Sequence, residues 1–260
     1  SSGPGAIRRM ETQMKKYQAI LMAAGVGSRL SAHTRKPKRT LGIDDQEGET
    51  IIGHTCRQLS ERDFKINVVV GYRKESVKAQ LRDWPVRFYE NPFYRVTNSI
   101  GSLWFAREAL VHAQERGQDV LLANADVYFG EDLVDRLMFC PDGLVMFGDS
   151  SRTKVGDYFF RTNDQGMLVG NGKGLDVSER TCEYVGIAKV ASEMLPSFIA
   201  QLDYLIWNGK FDMWWEDAFY SFKEMAPVRV LDAEGSFWGE VDTIEDYQRI
   251  LDHTAGGEGR

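Results

Sequence analysis

Two hydrophobic rhythms alternate along this chain. Tyr17–Ala23 (YQAILMA) is a short unbroken apolar run that stops at a glycine, which suits a strand buried on both faces. The β-branched run Ile66–Tyr72 reads as a second strand, Val86–Asn91 as a third, Asp119–Ala123 as a fourth and Gly143–Asp149 as a fifth. Between them the period lengthens. Thr50–Arg62 puts Ile51, Ile52, Cys56 and Leu59 on one helical face, and Lys74–Arg82 is a short polar helix. TNSIGSLWFAREALVHA (97–113) opens with Asn98 or Ser99 as a helix cap and continues as one amphipathic helix. The pattern changes over 157–190, where DYFFRTNDQGMLVG reads as a hairpin turning at Asn163–Gly166 and CEYVGIAKV as a further strand. Helices follow around Ser192–Trp207 and Trp215–Met225. A strand near Val228–Leu231, a polar corner at Glu240–Asp242 and a helix through Tyr247 and Leu251 close the chain.

Strands alternating with helices predict one α/β domain over 17–255, with a mixed, mainly parallel central sheet flanked by helices and a small β-rich insertion. Residues 1–16, rich in Ser, Gly and Pro at their start, read as an N-terminal extension of the kind a cloning vector supplies. The 260 residues carry 43% hydrophobic and 27% charged side chains, ordinary for a globular domain. No apolar run approaches a membrane span, so membrane insertion is not expected. Three widely spaced cysteines and no secretion signal point to a reducing compartment, the cytoplasm. A net charge of −6 argues against nucleic-acid binding.

The positive charge is local. No acidic residue lies between Glu11 and Asp44, a window holding Lys15, Lys16, Arg29, Arg35, Lys36, Lys38 and Arg39. A solvated basic face is one reading. The other follows from AAGVGSRL after the first strand, where glycines let backbone N–H groups turn toward phosphate oxygens. The segment lacks the Gly-Lys-Ser/Thr ending of a P-loop. Leu30 stands where a dinucleotide loop needs its third glycine, and Pro37 prevents a continuous helix. The chain after Arg29 therefore reads as a loop returning cations to the phosphates.

LMAAGVGSRL followed by Lys36–Pro37–Lys38 resembles the signature of the nucleoside triphosphate transferases, the pyrophosphorylase-type nucleotidyltransferases, whose fold is Rossmann-like. ENPFYRVTNSIGSLWFARE and GEVDTIEDYQRI are similar, more narrowly, to bacterial phosphocholine and phosphonate cytidylyltransferases, the 2-aminoethylphosphonate type included. Met22 departs from a usual Leu, and Arg39 from a usual small residue.

The resemblance implies attack of an acceptor oxygen on the α-phosphorus of CTP with release of pyrophosphate, a reaction catalysed by positioning and charge stabilisation. It implies Arg29 and Lys38 as catalytic cations. It assigns the nucleotide to Ala23, Ala24, Gly25, Gly27, Ser28 and Arg29, with Asn98 and Ser102 reading the base. The implied cofactor is Mg²⁺, with Asp126, Glu240 and Asp242 as ligands. Asp126 follows the fourth strand at its carboxyl end, and Glu240 and Asp242 would face one side if both lay in a strand. The pocket for a small phosphate or phosphonate acceptor is implied at Trp214 and Glu216, where aromatic faces and a carboxylate suit an ammonium group. Tyr158 is a further wall, and Lys154, Arg152 and Lys173 are candidates for the acceptor's anionic group. Read without the resemblance, Asn98 is a helix cap, Trp214 and Trp215 are core or interface residues, and the carboxylates are caps or surface groups.

Three rivals stay open. They are a cytidylyltransferase for a hydroxyalkylphosphonate, a sugar-1-phosphate nucleotidyltransferase or related glycosyltransferase, and a non-catalytic nucleotide-binding module. A homodimer is one assembly this leaves open.

Overall fold

The computed structural model describes residues 17–26, 41–42 and 49–257. Its centre is a nine-stranded mixed sheet. Strands β1 (Gln18–Ala23), β2 (Lys65–Val70), β3 (Val86–Glu90) and β4 (Val120–Asn124) run parallel in the order β4-β1-β2-β3. Beyond β4 lie β9 (Cys182–Val190), β6 (Leu144–Asp149) and β10 (Arg229–Asp232). Strand β9 is antiparallel to both β4 and β6, while β10 is parallel to β6.

The unbroken apolar runs have their cause in this sheet. Helices cover both faces, so alternate residues of one strand enter different cores. Ile20, Met22, Val120, Leu122, Leu144 and Met146 pack on one side. Ala19, Leu21, Leu121, Ala123, Val145 and Phe147 pack on the other.

The helices are α1 (Ile51–Ser60), α2 (Lys74–Gln80), α3 (Ser99–Phe105), α4 (Arg107–Glu115), α5 (Glu131–Phe139), α6 (Leu195–Trp207), α7 (Asp217–Tyr220) and α8 (Ile244–Gly257). Thr50 caps α1 by accepting from the Gly53 amide at 3.1 Å. The hairpin of β7 (Phe159–Thr162) and β8 (Leu168–Gly172) turns where expected. The Asn163 side chain accepts from Gln165 and Met167, and Gly166 adopts φ +74°. Strand β7 also pairs with β9, so the insertion is an extension of the central sheet.

Three expectations need correction, and one helix was not expected. The single helix over 97–113 is two, broken at Ala106. Trp104 and Arg107, flanking the break, both bind the Asp203 carboxylate of α6. The helix expected over Trp215–Met225 shortens to α7 followed by turns. Helix α5 carries no mark in the pattern reading. Finally, β5 (Val127–Phe129) and β11 (Trp238–Glu240) form a separate antiparallel ribbon, and β11 ends at Glu240. Asp242 lies outside it, so strand alternation does not aim Glu240 and Asp242 at one point.

Among the described residues no helix is long and apolar enough to cross a membrane.

Candidate active site

The chain runs β1, β2, β3 to one side of the sheet and then places β4 on the other side of β1. Ligands of open α/β sheets bind at such a reversal, beyond the carboxyl ends of the strands. A cavity of about 260 Å³ opens there, lined by Met22, Ala24 and Gly25 from the end of β1 and Asn124 and Asp126 from the end of β4. Ala24 accepts from the Tyr72 amide at 3.0 Å. Gly71 permits that approach, since a Cβ there would meet Ala24 and Tyr94 at 2.9–3.0 Å. Ala23 itself is buried in the core.

Asn98, Ser99 and Ser102 bring the start of α3 to the cavity. Asn98 is the helix cap, its side chain accepting from the Ser99 amide at 2.8 Å and donating to the Asp212 carbonyl at 3.3 Å. It is exposed and lines the cavity, so capping and ligand contact are compatible. Ser102 Oγ accepts from Asn91 Nδ2 at 3.0 Å. Asn91 is buried after β3 and also ties down Phe93 and Thr97, a positioning role that pattern reading did not identify.

Asp126 and Glu240 both line the cavity. The β5–β11 ribbon brings them together by pairing Val127 with Glu240, and the Val241 amide donates to the Asp126 carbonyl at 3.1 Å. Asp242 is not among the lining residues, and its amide donates to the Asp246 carboxylate at 3.2 Å. Among the described residues no three Asp, Glu, His or Cys side chains cluster as a ready metal cage. Mg²⁺ does not need one, since it takes one or two carboxylates together with substrate phosphates. The Asp126–Glu240 pair fits that donor set.

The aromatic side of the cavity comes from Tyr158, Tyr184, Trp214 and Tyr220. Tyr158 stacks on Tyr220 at 5.6 Å and meets the Trp214 ring edge-on at 5.6 Å. Trp214 is 37% exposed, whereas Trp215 is fully buried. The two neighbours therefore separate into a cavity wall and a core residue. Glu216 is buried among these rings and lines the cavity. Its Oε1 accepts from Tyr184 Oη at 3.1 Å and from Asn124 Nδ2 at 3.2 Å. Burial pushes its carboxyl up to about 7 against these two donors, because an ionised group loses hydration there.

The three cations considered for the acceptor part company. Lys173 lines the cavity, 5.2 Å from the Trp214 ring centre, and pairs with Asp157 at 3.0 Å. Lys154 is exposed and is not among the lining residues. Arg152 pairs instead with Glu183 at 2.8 Å. Asn124, Asp157, Tyr184 and Tyr220 are lining residues that pattern reading did not identify. Gly27, Ser28, Arg29 and Lys38 lie outside the described residues.

The family model described as the MobA-like NTP transferase domain matches residues 19–153. The chain is 23% identical over 249 residues to CTP:phosphoglutamine cytidylyltransferase of Campylobacter jejuni, covering 88% of this chain and 97% of that one. It is 31% identical over 163 residues to 2-aminoethylphosphonate cytidylyltransferase of Lancefieldella rimae, covering 62% of each. The fold is similar to the solved structure of CTP:phosphocholine cytidylyltransferase from Streptococcus pneumoniae. That match has a TM-score of 0.70 and 20% identity, over 92% of this chain and 99% of that one.

Proposed function

The chain belongs to the MobA-like NTP transferase domain family, and on that premise we propose that it transfers CMP from CTP to a small phosphate or phosphonate bearing an ammonium group. An acceptor oxygen forms a bond to the α-phosphorus, the bond from that phosphorus to the bridging oxygen breaks, and pyrophosphate leaves. The attacking oxygen belongs to a phosphate or phosphonate already ionised near neutral pH, so no general base is required. Catalysis then rests on alignment and charge stabilisation.

Asp126 and Glu240 would hold Mg²⁺, with Asp242 a third candidate on the sequence resemblance. Bound there, the ion supplies charge neutralisation for the triphosphate. Asn98 and Ser102 line the cavity beside the end of β1, which supports the reading that they contact the base. Arg29 and Lys38 are proposed to hold phosphate oxygens, on the sequence resemblance.

The observation that carries the acceptor assignment is Glu216. A carboxylate buried among aromatic rings holds its proton more tightly than one in water, and an ammonium offers both the opposite charge and a partner for the ring faces. A sugar phosphate or a hydroxyalkylphosphonate offers it no such partner. The relatives' names, phosphoglutamine and 2-aminoethylphosphonate cytidylyltransferase, support the same acceptor class and CTP as donor. Pyrophosphate release with each of the four ribonucleoside triphosphates, at fixed 2-aminoethylphosphonate, tests the donor. CTP is expected to dominate, and equal turnover with UTP, GTP or ATP would contradict the proposal.

A further inference from the structure

The segment 150–158 delivers Asp157 and Tyr158 to the cavity but contains no helix or strand of its own. Both its ends meet one residue. Asp149, the last residue of β6, and Phe159, the first of β7, each pair with Glu183 of β9. The Glu183 side chain then turns into the loop that its backbone closes. Its Oε1 accepts from the Asp157 amide at 3.1 Å, and its Oε2 pairs with Arg152 Nε at 2.8 Å. Gly156 packs against the carboxylate so closely that a Cβ there would collide with it.

A second connection leads to the β5–β11 ribbon. The Arg152 guanidinium lies over the Trp238 ring, 4.5 Å from its centre, and the Trp238 indole donates to Asp149 Oδ2 at 2.7 Å. Trp238 sits in β11 two residues before Glu240 and on the same side of the strand. Glu183 is only 7% exposed, and burying a carboxylate to hold a surface loop is costly unless it is paired. The arrangement makes sense if the loop must be held in one conformation.

We propose that Glu183 and Arg152 are positioning residues that lock the 150–158 segment, so that Asp157 and Tyr158 face the acceptor in register with Glu240. This rests on reading the cavity's aromatic side as the acceptor pocket. Neither residue is among those that line the cavity. They act through the backbone of Asp157 and through Trp238.

The test uses Glu183→Gln, Arg152→Met and Arg152→Lys in the full chain, with two readouts. The first is amide hydrogen exchange over 150–158, read against β1 and β4. Glu183→Gln and Arg152→Met are expected to speed exchange in the loop roughly tenfold while the sheet stays protected, since a local opening need not involve the core. Arg152→Lys keeps the charge and should recover part of the protection. The second is the acceptor KM, expected to rise roughly tenfold while the CTP KM holds within about twofold, because displaced walls misalign one substrate only. Unchanged exchange in the loop overturns the proposal. So does a parallel rise of both KM values with lost protection across the sheet. If the wild type turns over no cationic acceptor, the pocket assignment fails, and the exchange experiment still decides whether the tether exists.

Discussion

The Trp215 indole donates to Asn124 Oδ1 at 2.8 Å, and that bond orients the amide so that Asn124 Nδ2 points to Glu216. A fully buried tryptophan thus sets the hydrogen bonding of the carboxylate next to it in sequence. Its exposed neighbour Trp214 meets the cavity directly. The tandem tryptophans therefore have separable roles.

Trp215→Phe should cost about 1–3 kcal/mol of stability, because it leaves a void where the fully buried indole packs and removes the donor to Asn124 Oδ1. Trp214→Ala should change stability little and raise the acceptor KM. Denaturant unfolding together with steady-state kinetics on both variants checks this. A large stability loss for Trp214→Ala would make that residue part of the core.

Glu216 gives a pH signature with a definite sign. Its carboxyl lies near 7 in the fold against an ordinary 4.5. Between those values the folded chain keeps a proton that the unfolded chain has lost, so wild-type stability falls as pH rises and levels off above about 7. Glu216→Gln cannot ionise. Relative to that variant, the wild type should lose about 3 kcal/mol between pH 4.5 and 8. Binding of a cationic acceptor favours the ionised carboxylate. Acceptor kcat/KM should therefore rise through neutrality more steeply in the wild type than in Glu216→Gln, the acceptor's own titration being common to both. Parallel pH profiles would remove Glu216 from acceptor recognition.

The carboxylates are distinguished by metal titration. Asp126→Ala and Glu240→Ala should each lower kcat on the order of a hundredfold and raise the Mg²⁺ needed for half-maximal rate, and chelation should abolish wild-type turnover. Asp242→Ala should shift the same Mg²⁺ dependence, as the resemblance implies. Near-wild-type behaviour of any one variant removes that residue from the ligand set.

What the sequence made legible follows the range of each physical signal. Strands buried on both faces write themselves as apolar runs, so β1, β2, β4, β6 and β9 could be read directly. The turn at Asn163–Gly166 was legible because its chemistry is local. The break at Ala106 was not, because it accompanies a carboxylate 96 residues from Arg107. Strands β5 and β11 are three residues each, too short for a period to show, yet their pairing brings Asp126 beside Glu240. The cavity shows the same limit. Trp214 and Glu216 were marked by residue type and resemblance. Asn124 and Tyr184, which share Glu216 Oε1 as donors, come from strands far away in sequence and carry no motif.

Recognition of a cationic acceptor by Glu216 is tested most directly by kcat/KM with CTP for phosphocholine, 2-aminoethylphosphonate, 2-hydroxyethylphosphonate and a sugar 1-phosphate, on wild type and Glu216→Gln. The two cationic acceptors are expected to exceed the neutral-headed ones on the wild type. Glu216→Gln is expected to lose most for 2-aminoethylphosphonate, whose primary ammonium can donate hydrogen bonds to the carboxylate where trimethylammonium cannot. A wild type that prefers 2-hydroxyethylphosphonate or the sugar phosphate, with Glu216→Gln indifferent to the acceptor's charge, would contradict it.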